Sequence, residues 1–281
     1  MVHVSRFFVK VAPVAVLVAV LVATGAGTAD AQGEAPRRNG LGVAFNHVSL
    51  EVAEFDRELA FWTMLGGSSR TVGDGGFAIV TFPDMNVTVR RGQGTGGTEG
   101  SLIGHIGFQV PDIQAGETRF RGAGLTVEPG GFPGQRWLNS PSGVRVEILQ
   151  DPNLTQPIRG HHVHFFSTEP LKMQAWYAGV FGAAPGKRGN FDAADITAAN
   201  TTMNLTFGGA DAATQATKGR ALDHVAFSVT NLKAFMDRLA ALDVRVDQPY
   251  TLQPNGTTAL AFVIDPWGTR IELIDQQAGG Q

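Results

Sequence analysis

The 281-residue chain contains no cysteine, which excludes a disulfide framework, lipid attachment through cysteine, and thiol catalysis by the protein itself. Its tyrosines number two, Tyr177 and Tyr250, so phenol chemistry has only two possible sources. No Lys/Arg cluster is interleaved with aromatic residues, and this argues against a nucleic-acid partner. The glycine-rich runs lack the Lys, Ser and Thr of a phosphate loop. The apolar stretch from Val11 to Ala23, broken at Pro13, is shorter than the roughly 20 residues that span a bilayer.

That stretch follows Arg6 and Lys10 and precedes Ala29-Asp30-Ala31, the layout of a secretory signal peptide over residues 1–31. The expectation is an exported protein, periplasmic or secreted, free of the membrane once cleaved. Cleavage after Ala31 leaves 250 residues with a net charge of about −4. Residues 32–40 read as a flexible leader and 276–281 as a flexible tail.

Repetition is the most informative feature present. Met85-Asn86-Val87-Thr88-Val89 recurs as Met203-Asn204-Leu205-Thr206-Phe207, 118 residues later. The turn and strand around Pro141, Gly143 and Glu147 recur 125 residues later around Pro266, Gly268 and Glu272. His47 and His162 are 115 residues apart, and His105 and His224 are 119 apart. Each histidine heads a run rich in β-branched and aromatic residues, which is followed by a helical pattern and then by shorter strands. Helices are predicted over Phe55 to Leu65, Ile113 to Gly122, Leu171 to Phe181 and from Leu232, the last capped by Asn231. The fold class is α+β: four βαβββ modules paired into two cup-shaped, curved-sheet halves, residues 41–150 and 160–275.

If the two modules of each half pair, His47 meets His105 and His162 meets His224, with Glu147 and Glu272 entering the same cups from the last strands. A carboxylate at a strand centre is unfavourable unless paired or metal-bound. Two imidazoles and a carboxylate leave about half of an octahedral shell open to substrate or water, and Fe, Mn, Zn, Ni and Co all suit such a site. Thr88 and Thr206 stand where a fourth ligand would be. Strand alternation puts Arg145 and Arg270 on the faces of Glu147 and Glu272, either holding an anionic substrate or sitting at the rim. His164 shares the face of His162 as an acid–base group or a hydrogen-bonding partner; His161 is expected to point away. His3 falls in the signal segment.

Paired βαβββ modules with His on the first strand and Glu on the last resemble the vicinal oxygen chelate superfamily of glyoxalases, bleomycin resistance proteins and extradiol dioxygenases. The likeness extends over about residues 43–275 and is sharpest from Phe262 to Leu273. It implies two divalent-metal sites, His47, His105, Glu147 and His162, His224, Glu272, with His164 and Arg270 as the catalytic candidates. It also implies a small oxygenated substrate and a monomer or homodimer. Lyase or isomerase chemistry is the leading expectation. An Fe(II) dioxygenase opening a catechol-like ring and a ligand-sequestering binding protein are the alternatives. The threonines depart from glyoxalase I, which would carry a second carboxylate there; neither tyrosine stands at an obvious match to the tyrosine of the dioxygenases.

Overall fold

The computed structural model describes residues 37–277. The expected signal peptide, residues 32–36 of the leader and 278–281 of the tail lie outside the described residues.

The order βαβββ occurs four times. The first module comprises β1 (Val43–Val52), α1 (Phe55–Leu65), β2 (Ser68–Val72), β3 (Phe77–Phe82) and β4 (Met85–Arg91). The second comprises β5 (Ile103–Val110), α2 (Ile113–Gly122), β6 (Glu128–Pro129), β7 (Gln135–Asn139) and β8 (Arg145–Gln150). The third comprises β9 (Arg159–Ser167), α3 (Pro170–Phe181), β10 (Ala184–Arg188), β11 (Phe191–Thr197) and β12 (Thr202–Gly209). The fourth comprises β13 (Leu222–Val229), α4 (Leu232–Ala241), β14 (Arg245–Leu252), β15 (Ala259–Ile264) and β16 (Arg270–Asp275). Local chemistry sets the helix starts. Asp112 accepts from the amides of Gln114 and Ala115, and Asn231 accepts from that of Ala234, each satisfying donors a helix cannot bond internally.

The strands form two eight-stranded sheets, but not as the halves of the sequence suggest. One sheet runs β14-β15-β16-β13-β1-β4-β3-β2 and the other β10-β11-β12-β9-β5-β8-β7-β6. The second sheet is thus built from the contiguous second and third modules, while the first joins the first module to the fourth. The expected division into 41–150 and 160–275 does not describe the strand pairing. Modules adjacent in each half instead meet through the packed core: Trp62 of α1 lies 6.4 Å from Phe108 of β5, and Phe181 of α3 stacks on Phe227 of β13 at 4.7 Å. The crossovers between sheets run side by side, joined by the bridges Thr95↔Arg220 and Ser101↔Gln215. Arg220 reinforces them by donating to the carbonyls of Gly97 and Glu99.

Each sheet is closed at its centre by an antiparallel pair, β1 with β13 and β5 with β9. On all four of these strands the residue before the histidine is skipped in the register. Asn46 and Asp223 are the skipped residues of one pair, Gly104 and His161 of the other. Such a bulge sets two residues against one and re-aims the side chain. It decides the geometry of both cups. Among the described residues no helix is long and apolar enough to cross a membrane.

Candidate metal centre

The central antiparallel pairs bring together all six expected ligands, in two sets whose partners are exchanged. In the first cup His47 of β1 meets His224 of β13 and Glu272 of β16: Glu272 Oε2 is 3.2 Å from His47 Nε2 and 3.3 Å from His224 Nε2. In the second, His105 of β5 meets His162 of β9 and Glu147 of β8, with Glu147 Oε2 at 3.4 and 3.0 Å from their Nε2 atoms. The expected pairs His47 with His105 and His162 with His224 do not form, because β1 takes β13 as its neighbour and β5 takes β9.

Bulged neighbours fix both imidazoles of the first cup. Asn46 donates through Nδ2 to Ser228 Oγ at 2.7 Å, which leaves Oδ1 to accept from His47 Nδ1 at 2.8 Å. Asp223 Oδ1 accepts from His224 Nδ1 at 2.7 Å. With both protons on Nδ1, both Nε2 lone pairs face the Glu272 carboxylate. The three ligand atoms lie within 4.8 Å of one another on buried residues. Burial acts to raise the Glu272 carboxyl, but its contacts with His224 and His47 prevail and hold it well below the usual carboxylate range. Burial lowers His47, whereas His224 is raised because Asp223 and Glu272 outweigh its burial.

Converging lone pairs and a carboxylate in a buried site are mutually repulsive unless a cation lies between them. The donor set fits a divalent ion, with second-sphere oxygens on each imidazole as metal-bound histidines require. A cavity of about 1490 Å³ opens above it, walled in part by Phe45, Phe77, Phe82, Leu260 and Phe262. Thr88, at the expected fourth-ligand position, donates instead to Ser49 Oγ at 2.8 Å. The set is three-coordinate in protein ligands.

Arg270 and His164 stand in different cups. Arg270 donates from Nη1 to Asp223 at 2.8 Å and from Nε to Asp247 at 3.0 Å, with its guanidinium 4.0 Å from the Phe262 ring centroid. It braces His224 through Asp223 while lining the cavity. His164 joins the second cup, Nδ1 at 3.2 Å from His105 Nε2, and stacks on Phe166 at 4.4 Å. Burial pushes it down to about 2, so it is a neutral imidazole. Arg145 does not look into the second cup; it is exposed over Trp137 at 4.4 Å.

Five contributors were not expected. His161 does not point away: its bulge puts Nδ1 at 2.9 Å from His162 Nδ1, and burial lowers it to about 4. Asn46 and Asp223 play the matching part in the first cup. A polar side chain directly before the histidine, in three of four modules, was the available signal. Arg188 of β10 had none. Its Nη2 lies 3.1 Å from His162 Nε2 and 3.6 Å from Glu147 Oε2, and its Nε donates to Thr206 Oγ1 at 2.9 Å. Gln135 donates to the other Glu147 oxygen. Tyr177 is buried in the core, bonded to Asp265 at 3.1 Å, and neither tyrosine lines the cavity.

Residues 159–273 match the family model of the Glyoxalase/Bleomycin resistance protein/Dioxygenase superfamily. Among solved structures, glyoxalase I from Zea mays is similar at 18% identity and TM-score 0.64, over 83% of this chain and 92% of that one. A variant of the same enzyme reaches 20% identity, with the same TM-score and coverage. A putative dioxygenase from Bacillus subtilis subsp. subtilis str. 168 is similar at 15% identity and TM-score 0.61, over 83% of this chain and 85% of that one. No curated protein matches by sequence. Residues 159–273 thus carry the pattern of that superfamily, and the two curved sheets in their four-module order share the fold of these solved structures.

Proposed function

We propose that the protein is a metal-dependent enzyme whose working centre is the cup of His47, His224 and Glu272, acting on an oxygenated small molecule as a lyase or isomerase. One observation carries this reading: two imidazoles, each held from behind, and a carboxylate converge on the floor of a cavity of about 1490 Å³. A divalent ion bound there would supply positive charge to two neighbouring substrate oxygens and stabilise an enolate-like charge as it develops. The chain does the rest. Asn46 and Asp223 hold the imidazoles in the Nδ1–H form. Thr88 donates to Ser49, which frees the Ser49 hydroxyl hydrogen for a substrate oxygen. The aromatic walls exclude water from the apolar body of the substrate.

A second reading, an Fe(II) dioxygenase, is favoured by the three-ligand set without a fourth carboxylate. Against it, Ser49 occupies in this cup the place that His164 has in the other, as the registers Ser49↔His224 and His164↔His105 show. Metal analysis of the purified protein and of Glu272→Gln tests the centre. Retention of a full metal equivalent by the variant would remove it. Oxygen uptake by the anaerobically Fe(II)-loaded protein with a panel of catechols separates the reactions, since uptake favours the dioxygenase and none favours the lyase or isomerase. We also propose export, on the basic start and apolar run of residues 1–31; N-terminal sequencing of the mature protein checks it.

A further inference from the structure

The second cup has the ligands of the first and a different occupant. Arg188 ends the β10 strand, in the last pair before the hairpin turn, Arg188↔Phe191. The same position in the first module is Val72, in the pair Val72↔Phe77. The third module thus has an arginine at the register position where the first has an aliphatic residue. Its guanidinium has donors and no acceptor and is always charged. At 3.1 Å from His162 Nε2 it is placed to donate to the lone pair that a metal would need, and at 3.6 Å, beyond hydrogen-bond reach, it sets a positive charge against the otherwise unpartnered Glu147 oxygen that would be the third ligand. The Nε donation to Thr206 and the Gln135 bond to Glu147 hold both ends.

Charge and space agree with this occupancy. The ligands of the second cup and Arg188 sum to zero, whereas no guanidinium lies against the ligand atoms of the first cup: Arg270 there is shared by Asp223 and Asp247, and Arg90 lies over Phe77 in the cavity wall. Around the second cup Trp137 lies 4.9 Å from His105, and Phe166 and Phe191 lie 4.4 and 4.8 Å from His164. Trp137 has its counterpart in Phe262, 5.3 Å from His224, but the stacked rings of His164 and Phe166 stand where the first module has Ser49 and Glu51.

We infer that Arg188 is a built-in cation that takes the place of the metal in the second cup, so that the chain binds one divalent ion, and removing the guanidinium uncovers a latent second site made of His105, His162 and Glu147. The inference concerns the cup that the proposed function does not use, and its test is independent of turnover.

Co(II) is titrated into the full chain, and bound ion is counted by equilibrium dialysis and by the visible ligand-field absorption. The wild type is expected to take up one equivalent, and Glu147→Gln to leave that number unchanged. Arg188→Met, uncharged and of similar reach, and Arg188→Ala are both expected to gain one equivalent, and the gain to vanish when Glu147→Gln is added. Arg188→Lys, which keeps the charge, is expected to show no gain. Two equivalents in the wild type with one lost in Glu147→Gln would overturn the inference. So would an unchanged count in whichever of Arg188→Met and Arg188→Ala retains the near-UV circular dichroism of the parent. If the wild type binds none and Arg188→Met binds one, the proposed centre and the count of one ion fail, while the latent site under Arg188 stands.

Discussion

The Asp223 carboxylate accepts from the Nδ1–H of His224 at 2.7 Å although the two residues are consecutive on one strand. Regular alternation would send them to opposite faces; the bulge between Ser49↔His224 and Leu50↔Leu222 brings them together. The contact fixes the tautomer and makes Nε2 a better donor to a cation. Asp223→Ala should therefore weaken metal binding about 10- to 100-fold with little change in far-UV circular dichroism. Competition against a coloured chelator measures it, and an unaltered dissociation constant would count against the role.

Arg270 is the next link in that chain, bonded to Asp223 and Asp247 at once. Its removal should loosen the metal less than loss of Asp223 does, and the double variant Asp223→Ala, Arg270→Ala should bind no worse than Asp223→Ala alone. Neighbours in one network are expected to be non-additive in this way. Arg270→Lys should not restore the parent affinity, because a single ammonium lacks the fork that serves two carboxylates. Strict additivity in the chelator assay would instead make Arg270 an independent contributor, such as a direct substrate contact.

Gly107 is opposite His162 in the β5–β9 register, and a Cβ there would come within 1.8 Å of the imidazole. The ring cannot easily retreat, since His161 and Arg188 hold its two nitrogens. Gly107→Ala is expected to destabilise the fold by about 1–3 kcal/mol, the usual range for overpacking a filled interior. A urea midpoint equal to that of the parent would show that the second cup is looser than its contacts imply. The matching residue opposite His47 is Ala226, so the demand for glycine belongs to the second cup alone.

How legible the molecule was from its sequence depended on the range of the information. The modules were legible because each rests on local signals: the helices over 55–65 and 113–122 fall where the apolar spacing put them, and Asn231 caps as expected. The six candidate ligands could be picked out because the strand heads and ends repeat. Their grouping was not. All four modules offer similar edges, and which edge β1 meets depends on long-range packing such as Phe45 against Phe227 and Val43 against Val229. Arg188 was invisible for the same reason: it reaches Glu147 from a strand in another module, 41 positions away. The bulges had a faint local trace in Asn46, His161 and Asp223, but alternation assigned such residues to the wrong face.

Asp247 gives the network around the first cup a pH signature. Burial acts to raise its carboxyl, but bonds from Lys218 and Arg270 prevail and lower it. A carboxylate whose folded value lies below its unfolded value of about 3.9 contributes stability that is fully present above that pH. The contribution is lost as pH falls through the folded value. Asp247→Asn should therefore be less stable than the parent at pH 7, by no more than about 1 kcal/mol because Lys218 is half exposed and screened. The difference should shrink as the pH drops below about 4. Urea denaturation of both proteins at fixed ionic strength across that range is the check; a gap that stays constant down to acid would mean that the asparagine is felt through packing and not through charge.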